Sequence, residues 1–448
     1  MYWPTGSARR LCVEPAGLPD VHNDAVQMAS TRDGMLWFVL TRTALLLWRA
    51  RPIEIVASVI RTQRSLHEYG ANVHAVWSPD ASGIAIQTER DTLLFYELSQ
   101  PASKPSMHAL SDPSAPELAP SSQALLATFQ PATGDAYHTC TNEPLSARIN
   151  FQLLFRDALQ VDPGIACIAC VDAHLFVSTK SPAAVQLVSW PSSSSSASTS
   201  AASASVSASS AASAPPILLA HLPWLQVPLS SSSSLAPTPS PIVHAEHSYA
   251  TDLSAWIAAD GSAYIVGRND TWVGACAYRA VDSAHKNVPT TTALNARFSL
   301  LALGFENGHI TLFEFQTATQ TPQFVHSLTL PHITGRVICL DWTADGHALA
   351  VGYEHGWAIW STFGHVMCHS FREDWTTATR SYRDNFQFGV QSVFWGLGGT
   401  ELFVLARPLS PDAHAQDDER TLAYVVPFVK AAATTHMTPA DVNAGFLL

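Results

Sequence analysis

Val73 to Glu97 reads VHAVWSPDASGIAIQTERDTLLFYE, and Ile338 to Thr362 reads ICLDWTADGHALAVGYEHGWAIWST. One ungapped offset of 265 residues (77 to 342) sets Trp77 on Trp342, Asp80 on Asp345, Ile84 on Leu349, Ile86 on Val351 and Phe95 on Trp360. Each copy reads as strand, turn, strand, turn, strand, with Ser-Pro-Asp or Thr-Ala-Asp-Gly in the first turn. Self-similarity on the scale of a four-stranded unit is the signature of a β-propeller.

Weaker copies extend the pattern. Val393-Phe394-Trp395-Gly396 followed by Glu401 to Leu405 repeats the Trp-turn-strand half. Leu300 to Phe315 repeats the second half, with Asn307-Gly308 as its hairpin signal. Ala255 to Val266 folds around Asp260-Gly261, Met35 to Leu40 and Ala44 to Trp48 flank a short polar break, and Cys167 to Val177 with Val185 to Trp190 form another pair. Apolar residues run at period two or in short β-rich bursts bounded by turn residues. No segment has the pattern of an amphipathic helix of ten residues or more. In a propeller, each sheet is covered on both faces by its neighbours, so its inner strands are apolar on both sides. Trp77, Trp342 and Trp395 are therefore expected to fill the wedges between blades. None follows a Gly-His…Trp-Asp repeat, so the blades are WD40-like rather than standard.

The expected fold is an all-β, WD40-like propeller of about seven four-stranded blades over residues 1–430, with disordered loop insertions. The 448-residue chain, less its serine-rich stretch, leaves roughly 400 residues at about 40–50 per blade. Residues 191–241 are read as a disordered Ser/Ala/Pro-rich insertion, interrupted by the apolar Pro216 to Pro228. This composition buries too little apolar surface to offset its ordering entropy. Residues 100–123 and Pro408 to Glu419 read as two further loops, and 431–448 as a tail or the truncated start of a following region.

Charged residues make up only 13% of the chain, and its net charge is −12 without a Lys/Arg stripe. That argues against nucleic-acid binding and against unaided contact with anionic membranes. No apolar run has transmembrane length, and Arg9-Arg10 is followed by Leu-Cys-Val-Glu-Pro rather than by the apolar core of a signal peptide, so a cytoplasmic location is expected. The seven cysteines are scattered and read as small apolar core residues.

Candidate chemistry is sparse. Cys167-Ile168-Ala169-Cys170 has zinc-type spacing but lacks a second ligand pair, His174 being insufficient. His244-Ala245-Glu246-His247 has ligand-type residues beside the expected insertion, without the helical spacing of a zincin. Glu373-Asp374 and Asp417-Asp418-Glu419 read as solvated acidic loops. Asp80 and Asp345 read as turn aspartates. No phosphate-binding Gly-rich loop and no nucleophile elbow is present. No catalytic, cofactor-binding or metal-ligating residue is assigned, and no cofactor is expected. A propeller enzyme would need His, Asp or Glu converging on the innermost strands, and those strands read as apolar.

Met1-Tyr2-Trp3-Pro4-Thr5-Gly6 with Arg10-Leu11, then Leu47-Trp48 and Arg51-Pro52, resembles the start of the RIC-one family. This is the large subunit of the Ric–Rgp exchange complex. The likeness continues through Ala75 to Asp80, Gly335-Arg336-Val337 to Trp342, Trp360-Ser361-Thr362-Phe363-Gly364 and Ser392 to Gly396. The resemblance implies a propeller scaffold subunit of a guanine-nucleotide exchange factor for a Golgi Rab GTPase of the Rab-six class, supporting endosome-to-Golgi traffic. It implies an Rgp-type partner subunit, peripheral Golgi attachment through partners, and exchange activity only within a complex. The family is longer, with a helical C-terminal region, and supplies no catalytic motif to carry over. The alternative is a generic propeller adaptor of a coat or tethering complex.

Overall fold

The computed structural model describes residues 2–4, 9–11, 25–51, 53–99, 151–161, 164–171, 174–181, 183–191, 218–223, 240–267, 277–281, 287–315, 322–330, 335–370, 388–408 and 422–430. It is a seven-bladed β-propeller. Two short strands, β1 (Tyr2–Pro4) and β2 (Arg9–Leu11), come first in the chain. Blade 1 holds β3 (Ala25–Ser30), β4 (Leu36–Thr41), β5 (Ala44–Arg49) and β6 (Glu54–Ile60), and blade 2 holds β7 (Asn72–Trp77), β8 (Gly83–Thr88), β9 (Thr92–Ser99) and β10 (Gln152–Gln160). Blade 3 is β11 (Ile165–Val171), β12 (His174–Lys180), β13 (Ala183–Ser189) and β14 (Leu218–Pro223). Blade 4 is β15 (Ile242–Ser248), β16 (Leu253–Ala258), β17 (Ala263–Gly267) and β18 (Ala277–Val281). Blade 5 is β19 (Pro289–Asn295), β20 (Leu300–Phe305), β21 (Ile310–Glu314) and β22 (Gln323–Leu328). Blade 6 is β23 (Val337–Trp342), β24 (Ala348–Tyr353), β25 (Gly356–Ser361) and β26 (Val366–His369). Blade 7 is β27 (Phe388–Trp395), β28 (Glu401–Pro408) and β29 (Leu422–Lys430).

Blade 7 is completed from the other end of the chain. β1 pairs antiparallel with β29 in the register Tyr2↔Lys430, and β2 pairs with the same strand in the register Arg9↔Val425. The first strand of every blade lies innermost. β3, β7, β11, β15, β19, β23 and β27 neighbour one another in a closed ring.

Period-two alternation builds the cores. In β4, Trp37 and Val39 pack toward blade 7, while Phe38 and Leu40 pack toward blade 2. In β24, Ala348 and Ala350 face blade 7, and Leu349, Val351 and Tyr353 face blade 5. Successive side chains of a strand point to opposite faces, so each strand feeds two interfaces. Among the described residues this produces seven apolar clusters, one per blade junction. The tryptophans lie in these wedges. The Trp77 indole Nε1–H donates to the Ala29 carbonyl of the preceding blade (3.3 Å), and that of Trp342 donates to Ala293 (3.3 Å).

Two sequence readings are corrected here. Leu218–Pro223, inside the span read as a disordered insertion, is β14, paired with β13 as the fourth strand of blade 3. The apolar break Pro216 to Pro228 carried that signal; residues 192–217 and 224–239 lie outside the described residues. The ungapped echo also slips in its third strand. Ile84 stands opposite Tyr96, and Leu349 stands opposite Trp360, so the counterpart of Trp360 is Tyr96 and not Phe95. The cause is the second turn: Gln87 pairs with Leu93, whereas Gly352 pairs with Trp357, one residue sooner. Of the loop expected at Pro408 to Glu419, Pro408 is the last residue of β28 and the rest lies outside the described residues, as do the loop expected at 100–123 and the tail at 431–448.

One α-helix occurs among the described residues, α1 (Gln63–Tyr69), between blades 1 and 2. Its N-cap Thr62 Oγ1 accepts the Ser65 N–H at 3.1 Å. The buried Arg61 guanidinium holds its far end, donating to the Gly70 carbonyl (2.7 Å) and to Asn72 Oδ1 (2.9 Å).

Candidate functional site: the inner strand ring

The innermost strands share one irregularity. Each is bulged at its start, with two residues opposing one on the second strand, and the step recurs in all seven blades. The extra residue is Val26, Val73, Ala166, Val243, Thr290, Ile338 or Gln391. The residue after it is Gln27, His74, Cys167, His244, Thr291, Cys339 or Ser392. A bulge re-aims the side chains beside it and sharpens strand twist, which suits the tight inner ring.

The post-bulge residue reaches toward the next blade. Gln27 exchanges two hydrogen bonds with the Ala75 backbone, at 3.0 and 2.7 Å. Ser392 Oγ accepts the Met28 N–H at 3.0 Å, across the junction of blades 7 and 1. His244 lies 3.4 Å from Thr292 Oγ1 of blade 5. Two positions further along, alternation brings the side chain back to the same face. There Glu246 accepts the Leu294 N–H (3.2 Å), and Asp341 accepts the Trp395 N–H (2.6 Å). Leu294 and Trp395 occupy the same blade position as Trp342, each seven residues before its partner across the first hairpin. The two carboxylates are therefore equivalent fasteners, tying blade 4 to 5 and blade 6 to 7.

Burial governs their ionisation. The Glu246 carboxyl is raised to about 8, first by burial and further by Asp341, against hydrogen bonds from Leu294 and Thr292 that lower it. Burial raises Asp341 to about 7 against the N–H bonds it accepts. Burial lowers His74 to about 4, and burial together with His74 lowers His244 to about 4. The histidines are neutral at pH 7, and the carboxyls bind protons that exposed acids would have released. Burial pushes the Cys167 and Cys339 thiols up to about 12, which leaves them inert.

The innermost strands are thus not uniformly apolar, as the sequence suggested; His74, His244, Glu246 and Asp341 sit on them. Each carboxylate is engaged by a backbone N–H, and no three His, Cys, Asp or Glu side chains among the described residues are grouped to hold a metal. His244 and Glu246 lie on β15 in the wall of the ring. Cys167 packs into the core between blades 3 and 4, while Cys170 Sγ accepts the Tyr249 hydroxyl at 3.2 Å. His174 opens β12. Asp80 and Asp345 are turn residues: Ser78 Oγ donates to Asp80 (2.7 Å), and Thr343 Oγ1 donates to Asp345 (2.7 Å). Glu373-Asp374 and Asp417 to Glu419 lie outside the described residues. The only local signal of the fasteners is an acidic residue directly before the Trp-type position, Glu246 before His247 and Asp341 before Trp342.

The Trp-Ser-x-Phe-Gly element divides into two parts. Trp360 is core, and its indole N–H donates to the Tyr353 hydroxyl at 3.2 Å. Phe363, at the tip of the β25–β26 turn, is 71% exposed.

No family model matches the chain. Among solved structures, the crystal structure of the Cps50 (Swd1) β-propeller domain of Myceliophteria thermophila superposes with a TM-score of 0.52 at 8% identity. The match covers 95% of this chain and 99% of that one, and it speaks to the fold alone. Among curated proteins, guanine nucleotide exchange factor subunit ric1 of Schizosaccharomyces pombe is 21% identical over 427 residues, 90% of this chain and 35% of that protein. The human subunit RIC1 is 22% identical over 434 residues and the mouse subunit 21% over 440, each covering 94% of this chain and 28% of its relative. The chain therefore spans about a third or less of the length of these relatives. Its curated homologues are the Ric1 subunits of guanine nucleotide exchange factors, matched across nine-tenths of this chain.

Proposed function

We propose that this chain is the propeller part of a guanine-nucleotide exchange factor subunit and serves as its scaffold. On this reading it holds an Rgp-type partner subunit and a Rab GTPase of the Rab-six class at Golgi membranes, in support of endosome-to-Golgi retrograde traffic. The observation that carries the reading is similarity to three exchange-factor subunits over 90–94% of the chain. The inner ring is consistent with it, because its carboxylates Glu246 and Asp341 are engaged in joining blades. Exchange needs no nucleophile: a surface that binds the nucleotide-free GTPase more tightly than the loaded one displaces the nucleotide by differential affinity. No helix among the described residues is long and apolar enough to cross a membrane, in keeping with attachment through partners.

The test is a pulldown with the full-length protein, probed for an Rgp-type partner and for nucleotide-free Rab. Retention of both is expected. Retention of neither would favour the adaptor reading and end the exchange-subunit one. A nucleotide-release assay on residues 1–448 alone is expected to show little activity, and robust release would overturn the scaffold assignment.

A further inference from the structure

We propose that the cleft between α1 and the β8–β9 turn seats an acidic side chain of a partner polypeptide. Three observations carry this, and none rests on the exchange-factor reading.

The first is the cleft itself, of about 370 Å³. Arg42 and Thr43 of the β4–β5 turn, Gly70 and Ala71 behind α1, and Glu89 and Arg90 of the β8–β9 turn line it. Backbone bonds lock these three segments together. Asn72 N–H donates to the Arg42 carbonyl (2.8 Å), and Glu89 N–H donates to the Ala71 carbonyl (2.9 Å). Beneath them the buried Arg61 holds the Gly70 carbonyl at 2.7 Å. The walls are set before any ligand arrives, which lowers the ordering cost of binding.

The second is that the cleft is half filled. Glu89 pairs with the Arg42 guanidinium and accepts the Ala71 N–H at 3.3 Å. One wall is thus a cradle for a carboxylate, and the chain supplies that carboxylate itself. Arg90 forms the other wall. A Cβ on Gly70 would lie 3.1 Å from Arg90 Cγ, so the arginine stem rests on the glycine. Arg90 Nη1 donates to the Glu68 carbonyl at 3.3 Å, and no carboxylate pairs with Arg90 among the described residues. A guanidinium carries five donors and this one uses a single N–H on the protein. Held at both ends of its side chain, it matches a carboxylate, which takes two parallel N–H bonds.

The third is charge. The chain carries a net charge of −12, yet Arg42, Arg61, Arg64 and Arg90 gather here against only Glu68 and Glu89. Arg64 is exposed on α1, one turn before Glu68. A local excess of positive charge on an acidic protein selects acidic partners and steers their approach. A cleft of this size admits a side chain and not the plane of a bilayer.

The test uses residues 1–448 and three dye-labelled hexapeptides that alternate Ala with Glu, Gln or Lys, with binding read by fluorescence anisotropy at low salt. The Glu peptide is expected to bind saturably, and the Gln and Lys peptides are not. Arg90→Gln should weaken binding about tenfold through loss of charge-assisted bonds. Glu89→Gln should strengthen it about threefold, because it removes a competing carboxylate and frees Arg42. Arg297→Gln, in the first turn of blade 5 on the opposite face, should leave binding unchanged. If Arg90→Gln fails to fold, phenylglyoxal modification of the wild-type arginines reads the same site, and the Glu peptide should protect Arg90. Equal binding by all three peptides, no binding by the Glu peptide, weaker binding by Glu89→Gln, an equal loss in Arg297→Gln, or capture by phosphatidylserine vesicles in place of the Glu peptide would overturn the proposal.

Discussion

Blades 2 and 6 are the same hairpin built twice, and their differences separate what the fold requires from what it tolerates. The first turns share their principal bonds. Gly83 N–H donates to Ser78 Oγ (2.8 Å) and Ala348 N–H to Thr343 Oγ1 (3.1 Å), while each aspartate accepts the N–H two residues on, from Ser82 at 3.1 Å and His347 at 3.2 Å. Blade 1 repeats the motif with Thr31 and Asp33. Divergence begins between blades. Where blade 6 has Asp341 reaching Trp395, blade 2 has the apolar Val76. Where blade 6 has Gly346 at φ +70°, blade 2 has Ala81 at φ +58°. Backbone groups in a turn must be satisfied locally, so turns converge; junctions need only be filled, so they drift.

The largest test of this comparison is loss of the wedges. Trp77→Ala should cost about 3–5 kcal/mol, as for large aromatics removed from cores. Trp342→Ala should cost less, because Trp342 is only partly buried. Urea denaturation of both variants checks the ranking, and equal losses would mean that the two wedges are interchangeable after all.

Next comes the fastener that blade 2 lacks. Asp341→Ala leaves the Trp395 N–H unpaired and should cost about 1–3 kcal/mol. Asp341→Asn keeps an acceptor and removes the titration. Because Asp341 is raised from 3.8 to about 7, its contribution is complete below pH 3.8 and is lost as pH rises through 7. The melting temperature of Asp341→Asn relative to wild type should therefore climb between pH 4 and pH 8. A flat difference would show that the carboxyl titrates normally.

The turn position offers a reciprocal pair. A Cβ on Gly346 would sit 2.5 Å from Asn295 Oδ1, the side chain whose Nδ2 donates to the Gly346 carbonyl at 2.7 Å. Gly346→Ala should cost about 1–2 kcal/mol from the left-handed backbone alone, and more from that contact. Asp80→Ala should cost less, about 0.5–1 kcal/mol near neutral pH, since its bonds are exposed. Partial burial raises the Asp80 carboxyl, but bonds from Ser78 and Ser82 outweigh that and hold it below the usual range. This contribution is present above the ordinary carboxylate range and fades as pH falls through the lowered value, opposite in sense to Asp341. Smallest is Ala81→Gly, where relief of the left-handed conformation slightly exceeds glycine's entropic cost, for a gain of about 0.5 kcal/mol. Thermal melts of the pair would show opposite signs, and matching signs would break the comparison.

Legibility in the sequence follows the range of each interaction. The Ser-Pro-Asp turn and Asn307-Gly308 were readable because their partners lie within a few residues, and Trp77 because it sits beside that turn. Glu246 and Asp341 were not, because their partners Leu294 and Trp395 lie 48 and 54 residues on, about one blade away. The same spacing of 48 separates Gln27 from Ala75 and Ala29 from Trp77. A one-residue change in the second turn hid the true counterpart of Trp360, since an ungapped comparison absorbs it as a substitution. Strand β14 was concealed by its surroundings: a short apolar run between serine-rich stretches has the composition of a loop and the register of a blade.

The pairing of β1 with β29 also sets a clock. Tyr2 meets Lys430, 428 residues later in the chain. At roughly 5–20 residues per second of synthesis, that partner emerges roughly 20 to 90 s after the strand it must join. Until then the outer edge of the last blade has no strand to complete it and the ring is an open arc, so during this interval the nascent chain is most in need of a chaperone.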